Sequence, residues 1–156
     1  MEVCRLKMAI NNGLFTSNSD EWTTPKELFA KLNRRFLFNL DAAASDENHL
    51  CPDYFTKETD GLSQSWEGMR VFCNCPYSKI NLWAAKFCME AGMARLIVAL
   101  IPARTDTRWF QSIMESADKI VFLRGRLKFS NSKNSAPFPS ALAIWMGLDR
   151  LRGENG

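Results

Sequence analysis

Arg70-Val71-Phe72-Cys73-Asn74-Cys75-Pro76-Tyr77 and, beyond an amphipathic run over 80–91, Leu96-Ile97-Val98-Ala99-Leu100-Ile101-Pro102 decide how this chain folds. The first four residues read as a short strand. It runs into a turn where Pro76 stops it from continuing as a central strand. Ile80, Trp83, Ala84, Phe87, Cys88 and Ala91 then recur at helical spacing, with Gly92 placed where a left-handed helix terminator is expected. Residues 96–101 are apolar on both faces, as in a parallel-sheet strand covered by helices on either side, and Pro102 ends the run. Strand, helix and strand in this order predict an α/β fold.

Working outward, Thr24-Pro25-Lys26-Glu27 has capping-box spacing, with Thr24 as N-cap, Pro25 at the first helical position and Glu27 able to reach back. A helix follows with Leu28, Phe29, Leu32 and Phe36 on one face. Phe38-Asn39-Leu40-Asp41 reads as a short strand ending in an acid, before a polar loop. Further on are a helix carrying Trp109, Phe110, Ile113 and Met114, then strands at 119–123, 126–129 and 141–146. The expectation is one folded domain over 21–150, with a flexible lead-in over 1–20 and a short tail over 151–156. In such sheets functional residues gather outside the carboxyl ends of the strands, where Asp41, Asn74 and Arg104 fall.

The 156 residues are 46% hydrophobic, enough for a single buried core. No apolar run approaches the roughly 20 residues of a membrane span, and the charged first ten residues do not read as a signal peptide, so the expected location is cytoplasmic. Five cysteines with no CxxC pair and one histidine argue against a disulfide framework and against zinc. Net charge is only +3, so nonspecific capture of nucleic acid should be modest overall. Cations nevertheless concentrate in the last third, at Arg104, Arg108, Arg124, Arg126, Lys128 and Lys133.

Several blocks in one order carry a resemblance: Asp20-Glu21-Trp22-Thr23-Thr24-Pro25, Phe38-Asn39-Leu40-Asp41, Tyr54-Phe55-Thr56, Asp60-Gly61-Leu62-Ser63, Cys73 through Ser78, Pro102 through Phe110, Gly125-Arg126-Leu127-Lys128-Phe129 and Ala136-Pro137-Phe138-Pro139-Ser140-Ala141. The chain resembles the phage-type DNA N6-adenine methyltransferases, the Dam-like enzymes of phages and prophages. That resemblance implies an S-adenosylmethionine-dependent methyltransferase (Rossmann-like) sheet with helices on both faces and a C-terminal antiparallel hairpin. It also implies a DNA substrate, S-adenosylmethionine as methyl donor with S-adenosylhomocysteine as product, no metal, no obligatory protein partner, and a phage- or prophage-encoded protein acting in the bacterial cytoplasm.

An adenine amine is a poor nucleophile because its lone pair is delocalised into the ring, and two hydrogen-bond acceptors can hold it out of that conjugation. By resemblance to the family's Asn-Pro-Pro-Tyr motif, Asn74 supplies the side-chain acceptor, Cys75 a backbone carbonyl, Pro76 the turn, and Tyr77 a stacking ring worth about 1–3 kcal/mol. Flipping the base out of the duplex costs a few kcal/mol, which stacking largely offsets. Trp22, Thr24, Pro25, Asp41 and Asp60 are assigned to the cofactor. Arg104, Arg108, Arg126 and Lys128 are candidates for nucleic-acid binding, the last two on alternating positions of a strand.

Cys75 departs from the family's proline: the carbonyl is kept, but the fixed φ is lost and an N–H is gained. Leu40-Asp41-Ala42-Ala43 likewise departs from the usual Leu-Asp-Pro-Cys. Rival readings are methylation of RNA or of protein glutamine, and a weak or silent DNA- or cofactor-binding module. Cytosine-5 methylation is disfavoured because those enzymes use Pro-Cys rather than Cys-Pro. With little room for a separate recognition domain, specificity is expected to come from loops such as residues 131–139, or to be weak.

Overall fold

The computed structural model describes residues 21–150; the expected lead-in and tail lie outside the described residues. Helix α1 spans Lys26–Phe36, buries Phe29 and Phe36, and has Glu27 in its first turn and Arg34 and Arg35 in its last, which suits the helix dipole. Its N-cap position is Pro25, with no side-chain cap. The expected cap, Thr24, is 5% exposed and its hydroxyl accepts a hydrogen bond from Asn74 instead. A tertiary partner has taken the oxygen that the local rule assigned to the helix.

Six strands form one mixed sheet: β1 (Leu40–Asp41), β2 (Asp53–Tyr54), β3 (Arg70–Cys73), β4 (Leu96–Pro102), β5 (Lys119–Phe122) and β6 (Ser140–Trp145), in the order β2-β1-β3-β4-β6-β5. The first four are parallel, and β6 runs antiparallel between β4 and β5. Leu40 lies opposite Val71 and Cys73 opposite Ala99, so β1 and β3 end on the same edge of the sheet.

The sheet's two faces carry separate cores. Val71, Cys73, Ile97, Ala99, Ile101, Ala141 and Ala143 pack with Trp83 and Phe87 of α2 (Ile80–Glu90) and with Phe110 and Ile113 of α3 (Arg108–Ser116). Phe72, Leu96, Val98, Leu100, Leu142 and Ile144 face α1 together with Phe129, Ala136 and Phe138 from the 123–139 loop. Every residue of β4 is buried, as expected for a strand covered on both sides.

Two further expectations are corrected. Residues 126–129 do not form a strand: Gly125 turns the chain at φ 71, and Leu127 and Phe129 alternate inward because they pack on the second core, not because a ladder partner holds them. The antiparallel pair at the end of the chain is instead β5 with β6. Gly92 has no positive φ; α2 ends in a right-handed cap at Ala91. Strand β2, two residues at the sheet edge, was not expected.

Candidate active site

Asp41 ends β1 and Asn74 follows β3, so both stand at the carboxyl edge of the parallel strands. Beside them lies a cavity of about 580 Å³, whose lining includes Trp22, Thr24, Asp41, Asp60, Gly61, Asn74, Cys75, Pro76 and Trp83. That volume is typical of small-molecule sites. Pro25, Tyr77, Arg104, Arg108, Arg126 and Lys128, also expected at the site, do not line it.

The side-chain amide of Asn74 has a fixed orientation. Its Nδ2 donates to the Trp22 carbonyl and, at 2.9 Å, to Thr24 Oγ1, while its Oδ1 accepts from the Tyr77 hydroxyl at 3.0 Å. A carbonyl oxygen only accepts, so the nitrogen must face Trp22 and the oxygen must face away. One acceptor position of Oδ1 is then used by Tyr77, and no second donor among the described residues reaches it. The Tyr77 hydroxyl also lies 3.5 Å from the Leu100 carbonyl, and its ring meets Phe138 edge-on at 5.7 Å. Burial, with Cys75 and Cys73 adding to it, holds the phenol well above its ordinary range, so it stays a donor.

Pro76, at φ −61, opens a 3-10 turn over Tyr77–Lys79 that leads into α2. Cys75 is buried beneath it, and burial likewise keeps the neighbouring Cys73 thiol far above its usual range. A thiol that resists ionisation is a weak nucleophile.

Asp41 is 4% exposed and its carboxylate accepts from the backbone N–H of Leu50 at 3.0 Å and of Ala43 at 3.4 Å. Burial raises its pKa against the opposing pull of those two bonds and of His49. Asp41 therefore shapes the 41–50 loop as well as lining the cavity. Asp60 adopts φ 55, with Oδ1 accepting from Leu62 N–H at 3.2 Å. Next to it, a Cβ on Gly61 would sit 2.2 Å from the Ala42 carbonyl oxygen, so only glycine lets the two loops approach this closely. Trp66 Nε1 donates to the Gly61 carbonyl at 3.1 Å, and Trp66 N–H reaches Glu90, itself paired with Lys86 at 2.7 Å in a buried ion pair.

The cavity's charge is one-sided. Glu21, Asp41, Asp46, Glu47, Glu58 and Asp60 line it against only Lys57 and Lys79. Trp83 is 5% exposed and its indole N–H has no partner among the described residues. No group of three or more His, Cys, Asp or Glu side chains among the described residues is placed to hold a metal ion.

Arg104, Arg108, Arg126 and Lys128 are all exposed, and none forms an ion pair among the described residues. Arg104 lies in the turn before α3, where its carbonyl accepts from the hydroxyl of Thr107, the N-cap of that helix. Sequence reasoning missed Gly61, Lys79 and Trp83 as cavity residues. The dipeptide Asp60-Gly61 was a visible turn signal; the others are recognisable only from their spatial neighbours.

The model of the family described as DNA N-6-adenine-methyltransferase (Dam) matches residues 12–146. The chain is 34% identical over 110 residues to the DNA N-6-adenine-methyltransferase of Escherichia phage T1, covering 69% of this chain and 46% of that protein. It is 26% identical over 121 residues to the DNA N-6-adenine-methyltransferase of Haemophilus phage HP1 (strain HP1c1), covering 75% of this chain and 70% of that one. The match to the T1 relative thus spans about half of that protein's length. No helix among the described residues is long and apolar enough to cross a membrane.

Proposed function

Given that the chain belongs to the DNA N-6-adenine-methyltransferase family, we propose that it transfers a methyl group from S-adenosylmethionine to the N6 amine of an adenine flipped out of DNA, releasing S-adenosylhomocysteine. The observation that carries this reading is the amide of Asn74, a residue lining the cavity, held by Trp22, Thr24 and Tyr77 so that Oδ1 is kept as an acceptor. Residues 21–150 are then the catalytic domain, with a Rossmann-like methyltransferase sheet, residues 1–20 its lead-in and 151–156 its tail. We place its action in the bacterial cytoplasm.

The residues present fit S-adenosylmethionine. Carboxylates outnumber lysines around the cavity, which favours a cationic ligand. Trp22, Thr24, Asp41 and Asp60 would contact the ligand, with Pro25 setting the start of α1 behind them. Bound there, it supplies an electrophilic methyl group on a sulfonium.

Asn74 Oδ1 and the Cys75 carbonyl accept the two amine hydrogens, drawing the nitrogen out of ring conjugation and strengthening their hold as positive charge develops on it. Tyr77, anchored through its hydroxyl, offers its ring to the base. In-line transfer needs no covalent intermediate, so rate comes from alignment and acceptor placement. The exposed cations Arg104, Arg108, Arg126 and Lys128 serve the phosphates.

Incubating the chain with tritiated S-adenosylmethionine and, separately, DNA, RNA and protein, followed by nucleoside and amino-acid analysis, tests this. Label is expected in N6-methyladenine from DNA. Its absence there rejects the proposal, and label in RNA or glutamine, or none anywhere, selects one of the rivals.

A further inference from the structure

Residues 21–24 form a strap between two parts of the molecule that sequence alone does not connect. On one side, the Asn131 side chain grips it twice: Oδ1 accepts from Thr23 N–H at 3.0 Å and Nδ2 donates to the Glu21 carbonyl. Ser130 adds two more bonds, its N–H to the Thr23 carbonyl at 2.9 Å and its hydroxyl to the Thr24 carbonyl at 3.2 Å. On the other side, the Trp22 carbonyl and Thr24 Oγ1 accept both hydrogens of the Asn74 amide. Trp22 also packs its ring against Phe129 and Phe138, each with centroids 5.2 Å away.

The strap's backbone hydrogen bonds are thus divided between the 130–131 corner and Asn74, while its Thr23 and Glu21 side chains meet Asn48 at 3.5 Å and Lys57 at 2.8 Å. An asparagine amide has nearly the same shape whichever way it is turned, so only its partners decide whether oxygen or nitrogen faces the reacting amine. A nitrogen there would present hydrogens to hydrogens. The acceptors that prevent this stay in place only while residues 21–24 do, and their backbone is held by Ser130 and Asn131. Those two residues sit in the loop that carries Arg124, Arg126, Lys128 and Lys133.

Resting on the proposed adenine methylation, we infer that Asn131 and Ser130 are positioning residues for Asn74. Through the strap they lock the amide with Oδ1 toward the amine, and they tie that orientation to the seating of the basic loop. Neither touches the reacting atoms.

The test uses the full chain and Asn131→Ala. Single-turnover methylation of plasmid DNA lacking N6-methyladenine, at saturating S-adenosylmethionine, should slow about tenfold, more than any loss of S-adenosylhomocysteine affinity through Trp22 and Thr24, while Kd for the plasmid changes by less than about twofold. In ¹⁵N spectra, the Asn74 side-chain amide, identified by its loss in Asn74→Asp, should exchange with water about tenfold more slowly than that of exposed Asn81. Asn131→Ala should abolish that protection. Ser130→Ala should move both readouts the same way by less, and stands in if Asn131→Ala fails to fold. Protection that survives in the variants, or slowing that merely follows lost cofactor affinity, overturns the inference. A wild-type chain that makes no N6-methyladenine defeats the functional reading instead, since the amide readout does not depend on turnover.

Discussion

Residues 41–67 carry seven acids and one lysine, whereas residues 119–148 carry five basic residues and no acid. Both stretches are loop-rich, but they use their charges differently. In the first, carboxylates are enlisted as backbone acceptors: Asp41 holds Leu50 and Ala43, and Asp60 holds Leu62. The result is a concave, internally bonded wall. In the second, Phe129, Ala136 and Phe138 are buried while Arg124, Arg126, Lys128 and Lys133 point outward without ion pairs among the described residues. A wall built around carboxylates suits one small cation, and outward cations on a hydrophobic footing suit a polyanion. Asn74 stands where the two regions meet, tied through the 21–24 strap.

The most disruptive way to break this contrast is Gly61→Ala. The new Cβ meets the Ala42 carbonyl 2.2 Å away, with Trp83 at 3.1 Å behind it, so neither loop can yield without opening the wall. We expect a loss of about 2–3 kcal/mol of stability in urea unfolding and at least about a tenfold loss of S-adenosylhomocysteine affinity by calorimetry. DNA affinity should hardly change. If DNA binding falls as much as cofactor binding, the two regions are not separate in function.

The contrast also explains what could be read from sequence. The β3–α2–β4 unit was legible because burial on both faces of β4 and on one face of α2 leaves a pattern within a single segment. The acid ending β1 and the Asn74 turn were legible for the same reason. Strand β2 was not: Asp53 and Tyr54 are polar, only two residues long, and a strand only by virtue of pairing with β1. Thr24 shows a local rule losing to a distant partner, since its hydroxyl serves Asn74 and not the helix behind it. Leu127 and Phe129 show alternation produced by packing alone. The roles of Gly61 and Asn131 depend on contacts with Ala42 and with Glu21 and Thr23, which no local window contains.

On the basic side, Arg126→Ala combined with Lys128→Ala should weaken DNA binding about tenfold near physiological salt and lower the salt slope by about 2. Anisotropy titrations at several salt concentrations measure both, and the cofactor Kd should stay constant. An unchanged salt slope would remove these two residues from the phosphate contacts.

A finer test concerns the buried acid. Because the native pKa of Asp41 is raised above 3.8, mainly by desolvation, its contribution to stability is fullest below that pH and declines as pH rises through the native value. The advantage of the wild type over Asp41→Asn in urea unfolding should therefore shrink with rising pH across that window. Growth of the advantage instead would mean that the bonds from Leu50 and Ala43 outweigh burial, and that the wall is tuned to keep its charge.

The smallest expected effect lies at the junction itself. Only the carbonyl of Cys75 enters the proposed chemistry, so Cys75→Pro removes a buried thiol and an N–H while keeping the acceptor. Fixing φ near −65° should restrain that carbonyl and raise single-turnover methylation by about threefold, equivalent to roughly 0.6 kcal/mol. Cofactor and DNA affinities should hold, because neither the acidic wall nor the basic loop is altered. A slower variant would mean that the thiol packed beside Cys73 supports the turn better than a proline ring does. The departure at position 75 would then be an adaptation of this site to its own core.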